Sequence, residues 1–409
     1  MKTYLVGGAV RDKLLGIPVK DRDWVVVGAT PDEMLDLGYT QVGKDFPVFL
    51  HPESREEYAL ARKERKTGQG YKGFTVHADK SVTLEEDLQR RDLTINAIAE
   101  NEDGTIVDPF NGRADLEAKV LRHVSAAFVE DPLRVLRVAR FAARFHHLGF
   151  SIAEETMALM QDIAASGELW DLVSERIWTE ISRALEERSP QVFFQVLRGC
   201  NALGDILPEL ENLFGVPQPK KYHPEIDTGI HTLMVLEQAS VLSEDPVVRF
   251  AALMHDIGKA EVPRERWPNL QGHEQLGADL INTACKRIRA PNEYRDLARI
   301  TCLYHTHCHR TDVRHPAAIL DTLEHCDAFR KPERFEQFLL ACEADARGRL
   351  GLEKHPYPQA DILRRALAVS SGVDTAEIVA AGYRDAEIGV QLHARRLVIL
   401  TEELASDES

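Results

Sequence analysis

Cysteine is absent from the first 199 residues of this 409-residue chain and scarce after them. All six (Cys200, Cys285, Cys302, Cys308, Cys326, Cys342) lie at or beyond position 200, and no two form a CxxC pair. That excludes a disulfide framework and a thiolate zinc site, and predicts reduced thiols packed as small hydrophobes. Long apolar runs are absent too: nothing approaches the roughly 20 residues a membrane span needs. The opening MKTYLVGGAVRDKLLG is charged by Arg11 and holds no signal-type apolar core, so a cytoplasmic protein without membrane association is expected. Basic charge is in deficit, with 50 Lys+Arg against 66 Asp+Glu and a net charge of −16. Read globally, that disfavours a phosphate-rich partner. The deficit is uneven, however: residues 1–150 carry 22 basic against 24 acidic side chains, leaving 28 against 42 for the rest. The acidity belongs to the second part, and the first is free to meet phosphates. Repeats and low-complexity tracts are also lacking, and only the terminal ASDES reads as disordered.

What is present reads as a folded protein of two to four domains. Up to about residue 125, short apolar runs alternate with turn residues (TYLVGG, DWVVVG, FPVFLH, YALAR, GTIVDPFNG), a pattern of strands. From EDPLRVLRVARFAARF onward the period becomes helical, through ETMALMQDIA, VFFQVLRGC, HTLMVLEQAS, VVRFAALMHDIG and IVAAGYRDAEIG. The Pro- and Gly-bearing stretches 214–227 and 351–361 are the candidate linkers, with cuts near 225 and 340.

Three motifs of the first part carry chemistry. Gly7-Gly8 follows the first strand and precedes Arg11, which allows close backbone approach to a phosphate with a cation one turn away. Asp21 and Asp23 flank Arg22 just before the strand WVVV, so strand alternation turns both carboxylates to one side, as a magnesium site requires. Asp131 and Pro132 start a helix on which Arg134, Arg137, Arg140 and Arg144 fall within an arc of about 120°, opposite its Leu, Val and Phe residues. That face reads either as a wet basic side or as a comb for triphosphate and base edges.

GGAVRD, DRD, RRDLTINA, DPFNG and EDPLRVLR, in this order and spacing, resemble the class II tRNA nucleotidyltransferases. In the second part, His231, His255-Asp256 and Asp327, separated by 24 and 71 residues with Gly-Lys after the HD pair, resemble the HD phosphohydrolase superfamily. Together they match the bacterial form of the nucleotidyltransferase that carries a C-terminal HD domain.

The resemblance implies an α+β protein: a nucleotidyltransferase head with a small mixed sheet (1–139), a helical neck and body (140–225), an all-α HD domain (226–340) and a helical tail (341–409). It implies that CCA is added to and repaired on tRNA from CTP and ATP. Asp21 and Asp23 would hold magnesium, and Gly8, Arg11 and Arg91 the triphosphate. Asp131 and Arg134 would read base edges, with Arg137 and Arg140 touching the nucleotide. Glu57 would be a third acidic position. The segment 63–74 is either a mobile loop that switches C to A addition or plain surface. The HD domain implies a cation at His231, His255, Asp256 and Asp327, with cyclic phosphodiesterase, 2′-nucleotidase and phosphatase activities. Imidazole with carboxylate suits a transition metal such as nickel. His273 and His305 could join that site or orient its ligands, whereas His307 and His309 read as surface residues. The protein would be a monomer or a homodimer. The rival readings are a poly(A) polymerase, against which the HD motif and the acidic tail stand, and an HD phosphohydrolase with an inactive head.

Overall fold

The run TYLVGG becomes an inner strand of a mixed sheet in the computed structural model, which describes residues 1–42, 48–66 and 74–405. The strands are β1 (Lys2–Val6), β2 (Asp23–Val27), β3 (Thr40–Val42), β4 (Val48–Leu50), β5 (Glu57–Leu60), β6 (Lys63–Lys66), β7 (Phe74–His77), β8 (Ala99–Asn101) and β9 (Ile106–Val107). Seven of them form one sheet in the order β3-β4-β5-β2-β1-β8-β9, while β6 pairs with β7 separately. Strand β2 runs antiparallel to β1 and parallel to β5. Alternation along β2 sends Val25 into a core with Val6, Val82, Leu88 and Ala99, and Val26 into a second core with Met34, Phe49 and Leu60. Residues 67–73 of the expected switching loop and 406–409 of the acidic end lie outside the described residues.

The chain divides into two compact units, Met1–Ile206 and Leu207–Ser409. In the first, helix Leu133–Phe145 packs on helices Ser174–Glu186 and Pro190–Gly199. A short parallel pair, β10 (Val120–Leu121) with β11 (Ser151–Ile152), interrupts the helices expected after residue 130. The second unit is built of helices. Helix Thr228–Leu242 packs against Pro246–Met254 and Pro332–Arg347, and His273–Ile288 against Asn292–His309. Asp227 and Asp245 cap the first two, their carboxylates accepting from the N–H groups of Ile230 (2.9 Å) and Val247 (2.8 Å).

The expected boundaries need correction. Cuts at 139/140 and 340/341 would sever helices Leu133–Phe145 and Pro332–Arg347, whose backbone ladders run through them. The stretch 214–227 is no linker: Gln218 N–H bonds the Ile226 carbonyl (2.8 Å) and Thr228 N–H the Val216 carbonyl (3.0 Å). Nor is 351–361, since Tyr357 is buried within it. The run IVAAGYRDAEIG is two helices, broken where Gly382 and Asp385 take positive φ. No described helix is long and apolar enough to cross a membrane, and all six cysteines are free and buried.

Candidate active sites

At the sheet, Asp23 opens β2 and its register partner on the parallel neighbour β5 is Glu57, so the two carboxylates share a face of the sheet. Asp23 remains accessible, but surrounding protein pushes its carboxyl above the ordinary range; Arg91 opposes that rise and Asp21 adds to it. Asp23 therefore feels the charge of both neighbours. Gly7 turns the chain out of β1 with φ +66°, and a Cβ there would stand 2.7 Å from Arg91 Nη1. Arg91 is held in that place by the Asn96 carbonyl (3.3 Å) and Asp87 (3.2 Å). Gly8 begins the next helix, and a Cβ on it would meet Arg11 Nη2 at 3.4 Å. Arg11 itself is buried: it bonds Asp12 (2.8 Å) and Asn96, and stacks on Phe141 and Phe145. It thus supports the Gly7-Gly8 turn from beneath. The DPFNG turn grips the same region, since Asp108 accepts from the N–H of Gly112 (2.7 Å), whose Cβ would fall 2.2 Å from the Thr94 carbonyl.

The arginine face is not a wet side. Arg137 bonds Asp92 (2.8 Å), Arg140 bonds Glu180 (2.6 Å) and Arg144 bonds Asp12 (2.9 Å). Arg134 donates to the carbonyls of Ala127 (2.7 Å) and Arg90. Burial alone would raise the Asp92 carboxyl; Arg137 and the bonds from Asn96 and Leu93 outweigh it and hold the group well below the usual range. Asp131 accepts from Leu133 N–H (3.1 Å) at the start of the helix and from Arg176 (2.8 Å). Asp131 and Arg134 also meet through the backbone, where the Arg134 N–H bonds the Asp131 carbonyl (3.0 Å).

In the second unit, His231, His255 and Asp256 meet at one point, buried, and Asp256 also meets His273 and His305. Asp327 is not there. It sits in a turn with φ +57°, part-exposed, paired with Arg334 (3.3 Å) and Arg330 (3.6 Å). The carboxylate that the fold brings instead is Asp345, with Oδ1 3.1 Å from His231 Nε2 and 3.7 Å from His255 Nε2. His309 is likewise no surface residue: it bonds Asp345 (2.6 Å) and the Tyr357 hydroxyl (2.8 Å). His307 is exposed, as expected. Glu225, unnoticed in the sequence, lies 3.0 Å from His231 Nδ1. Burial opposes charge on His231, but Asp345 and Glu225 push it above its ordinary value, while burial holds His305 well below. Among the described residues, His255 Nε2, Asp256 Oδ1 and His273 Nε2 are buried without hydrogen-bond partners. A converging set of imidazoles and carboxylates with orphaned lone pairs fits a divalent transition cation.

Three family matches run along the chain: the Poly A polymerase head domain over residues 3–122, the probable RNA and SrmB-binding site of polymerase A over 149–214, and the HD domain over 228–336. The multifunctional CCA protein of Thioalkalivibrio sulfidiphilus is 62% identical over 98% of this chain and 98% of its own length. That of Hahella chejuensis is 60% identical over 97% and 94%. The chain belongs to the multifunctional CCA protein family. Solved structures share the fold. A Thermotoga maritima CCA-adding enzyme complexed with tRNA has a TM-score of 0.58 at 19% identity, covering 100% of this chain and 92% of that one. A CCA-adding enzyme with CTP gives 0.61 at 22% identity, covering 99% and 90%. The HD match ends at residue 336, so it takes in Asp327 and stops before Asp345.

Proposed function

We propose that this chain builds and repairs the 3′-terminal CCA of tRNA from CTP and ATP in the cytoplasm, and hydrolyses phosphate esters at its HD cluster. What carries the first part is the placement of Asp23 beside Glu57 in the sheet, with Arg91 reaching the Gly7-Gly8 turn next to them. Asp21 and Asp23 are the ligands for magnesium, whose accessible hard oxygens suit it, and Glu57 is placed to join them. Magnesium held by them would supply the charge that makes a hydroxyl a better nucleophile and offsets negative charge on the phosphates. Gly8 permits close approach of the triphosphate, Arg91 offers it a cation, and Arg11 keeps the turn in place. Asp131 and Arg134 present base-reading groups once the nucleotide displaces their present partners, and Arg137 and Arg140 hold the helix that carries them. The hydroxyl oxygen forms the new bond to the α-phosphorus, the bond to the departing pyrophosphate breaks, and the proton passes to solvent.

The HD cluster is assigned 2′,3′-cyclic phosphodiesterase, 2′-nucleotidase and phosphatase activity with a transition metal, nickel by donor set, held by His231, His255, Asp256 and Asp345. Those activities would clear damaged tRNA ends before extension. The deciding experiment incubates the protein with magnesium and a tRNA lacking CCA. Two additions with CTP alone and three with CTP and ATP support the reading. A long ladder with ATP alone makes it a poly(A) polymerase, and no extension leaves only the HD activity.

A further inference from the structure

Within the acidic second part of the chain, Lys220-Lys221-Tyr222 forms a basic and aromatic tip directly before His223. All three residues are exposed, Tyr222 to 57% of its surface. The loop that carries them is nevertheless fixed. Its neck is closed by the bridge between Pro217 and Asp227, and the Gly215 N–H donates to Asp227 Oδ2 (2.6 Å). At the tip the N–H groups of Tyr222 and His223 both donate to the Pro219 carbonyl (3.0 and 3.1 Å), and the Ile226 N–H donates to the His223 carbonyl (3.0 Å). Lys221 Nζ stands 5.1 Å from the centroid of the Tyr222 ring, so cation and ring hold each other in place.

The tip leads straight to the HD cluster. His223 Nδ1 lies 3.1 Å from Glu225, and the His223 ring centroid lies 4.7 Å from that of His231, which Glu225 also meets. A second segment arrives at the same carboxylate, where the Leu350 N–H donates to Glu225 Oε2 (3.4 Å). Leu350 is 58% exposed, so it and Tyr222 leave apolar surface in water on either side of Glu225. Next to Leu350, Arg349 reaches inward until Nη2 stands 3.9 Å from Asp345 Oδ1, while 22% of its side chain stays in solvent. Its Nε is buried and has no hydrogen-bond partner among the described residues. An arginine with an unused donor thus spans from the surface to the cluster, bordered by an exposed ring and two lysines. A small apolar patch rimmed by cations is the chemistry of a nucleotide, with an apolar base and anionic phosphates.

We propose that this border is the mouth by which the single-stranded 3′ end of an RNA enters the HD cluster. Arg349 takes an oxygen of the terminal phosphate, the last base stacks on Tyr222, and Lys220 and Lys221 meet the phosphates upstream. The inference rests on reading the HD cluster as a phosphate-ester hydrolase and adds what that site selects. Every base has a π-face, so stacking on one tyrosine admits ends of any sequence. A base-paired end is refused, because its bases are already stacked on one another.

The test gives the full chain, with nickel added, three esters: glycerol 1,2-cyclic phosphate, which has no base, adenosine 2′,3′-cyclic phosphate, and an adenosine trinucleotide ending in a 2′,3′-cyclic phosphate. Tyr222→Ala should narrow the kcat/KM advantage of the adenosine ester over the glycerol ester by roughly 5- to 100-fold, through KM, the range of one base–aromatic stack. Tyr222→Phe keeps the ring and should keep the advantage. Replacing Lys220 and Lys221 with alanine should erase the trinucleotide's advantage over the adenosine ester and flatten the slope of log KM against log salt by about 0.7 per lysine. Arg349→Gln should raise KM for all three esters. An unchanged advantage in Tyr222→Ala, or an equal loss with the adenosine and glycerol esters, overturns the mouth and leaves hydrolysis at the cluster standing. A trinucleotide no better than the adenosine ester in the unaltered chain overturns the part given to the lysines, and an unchanged KM in Arg349→Gln that given to the arginine. No hydrolysis of any ester by the unaltered chain overturns the cluster's activity and the mouth together.

Discussion

Asp345→Asn separates the carboxylate chosen by the fold from the one suggested by motif spacing. Asp345 Oδ1 meets His231 Nε2 at 3.1 Å, and Oδ2 meets His309 Nε2 at 2.6 Å, with 3% of the residue exposed. Replacing the charge with an amide would remove the oxygen proposed as a cation ligand and turn an N–H2 donor toward groups arranged around an acceptor. A buried group left mismatched costs about 2 kcal/mol, which is roughly a 30-fold rise in the cation Kd. The assay is a competition titration of nickel or manganese against a chromogenic chelator, run beside hydrolysis of a 2′,3′-cyclic nucleotide. Nucleotide addition to tRNA serves as the control that the head is intact. Asp327→Asn breaks only part-exposed pairs with Arg330 and Arg334. It should cost at most about 1 kcal/mol of stability and leave cation affinity unchanged. Equal loss of affinity in both variants, or loss in Asp327→Asn alone, would refute the placement of the site.

Three further outcomes are expected. Asp21→Ala should abolish nucleotide addition and spare ester hydrolysis, while His255→Ala does the converse; loss of both activities in either folded variant would refute two separate sites. Gly7→Ala forces a Cβ into a left-handed turn 2.7 Å from Arg91 Nη1. It should raise the KM for CTP and ATP by roughly 10-fold or more, the ~1–2 kcal/mol scale of such strain, with hydrolysis untouched. Asp92→Asn should destabilise the first unit by about 2–3 kcal/mol at pH 7, less than for a fully buried pair because Arg137 is part-exposed. Because Arg137 and the other bonds depress the folded Asp92 carboxyl, its contribution is full above the unfolded value of about 3.9 and is lost as pH falls below it. The gap in denaturation midpoint between wild type and variant should therefore narrow below roughly pH 4, and a gap independent of pH would count against the pairing.

The strands of the head were legible because each apolar run is bounded by turn residues and alternates faces, so TYLVGG, DWVVV and YALAR each became part of one sheet. Legibility stopped where a side chain's surroundings come from distant segments. A helical wheel assigns Arg137, Arg140 and Arg144 to water because it knows only its own helix. The fold instead lays Asp92, Glu180 and Asp12 along that face, and an arginine row becomes a set of ion pairs. The HD cluster failed differently. Spacing admits several acidic residues after His255-Asp256, and Asp327 satisfied it while its backbone turned its side chain toward arginines. A local signal for Asp345 did exist: its carboxylate sits on a helix face with Ala341 and Cys342, one turn back and both buried, where an unpaired charge is costly. A carboxylate on the apolar side of a helix, downstream of an HD pair, needs a cation or a proton to be there. The same argument applied to His305, four residues after buried Thr301 and three after buried Cys302, would have put it inside the site rather than beside it.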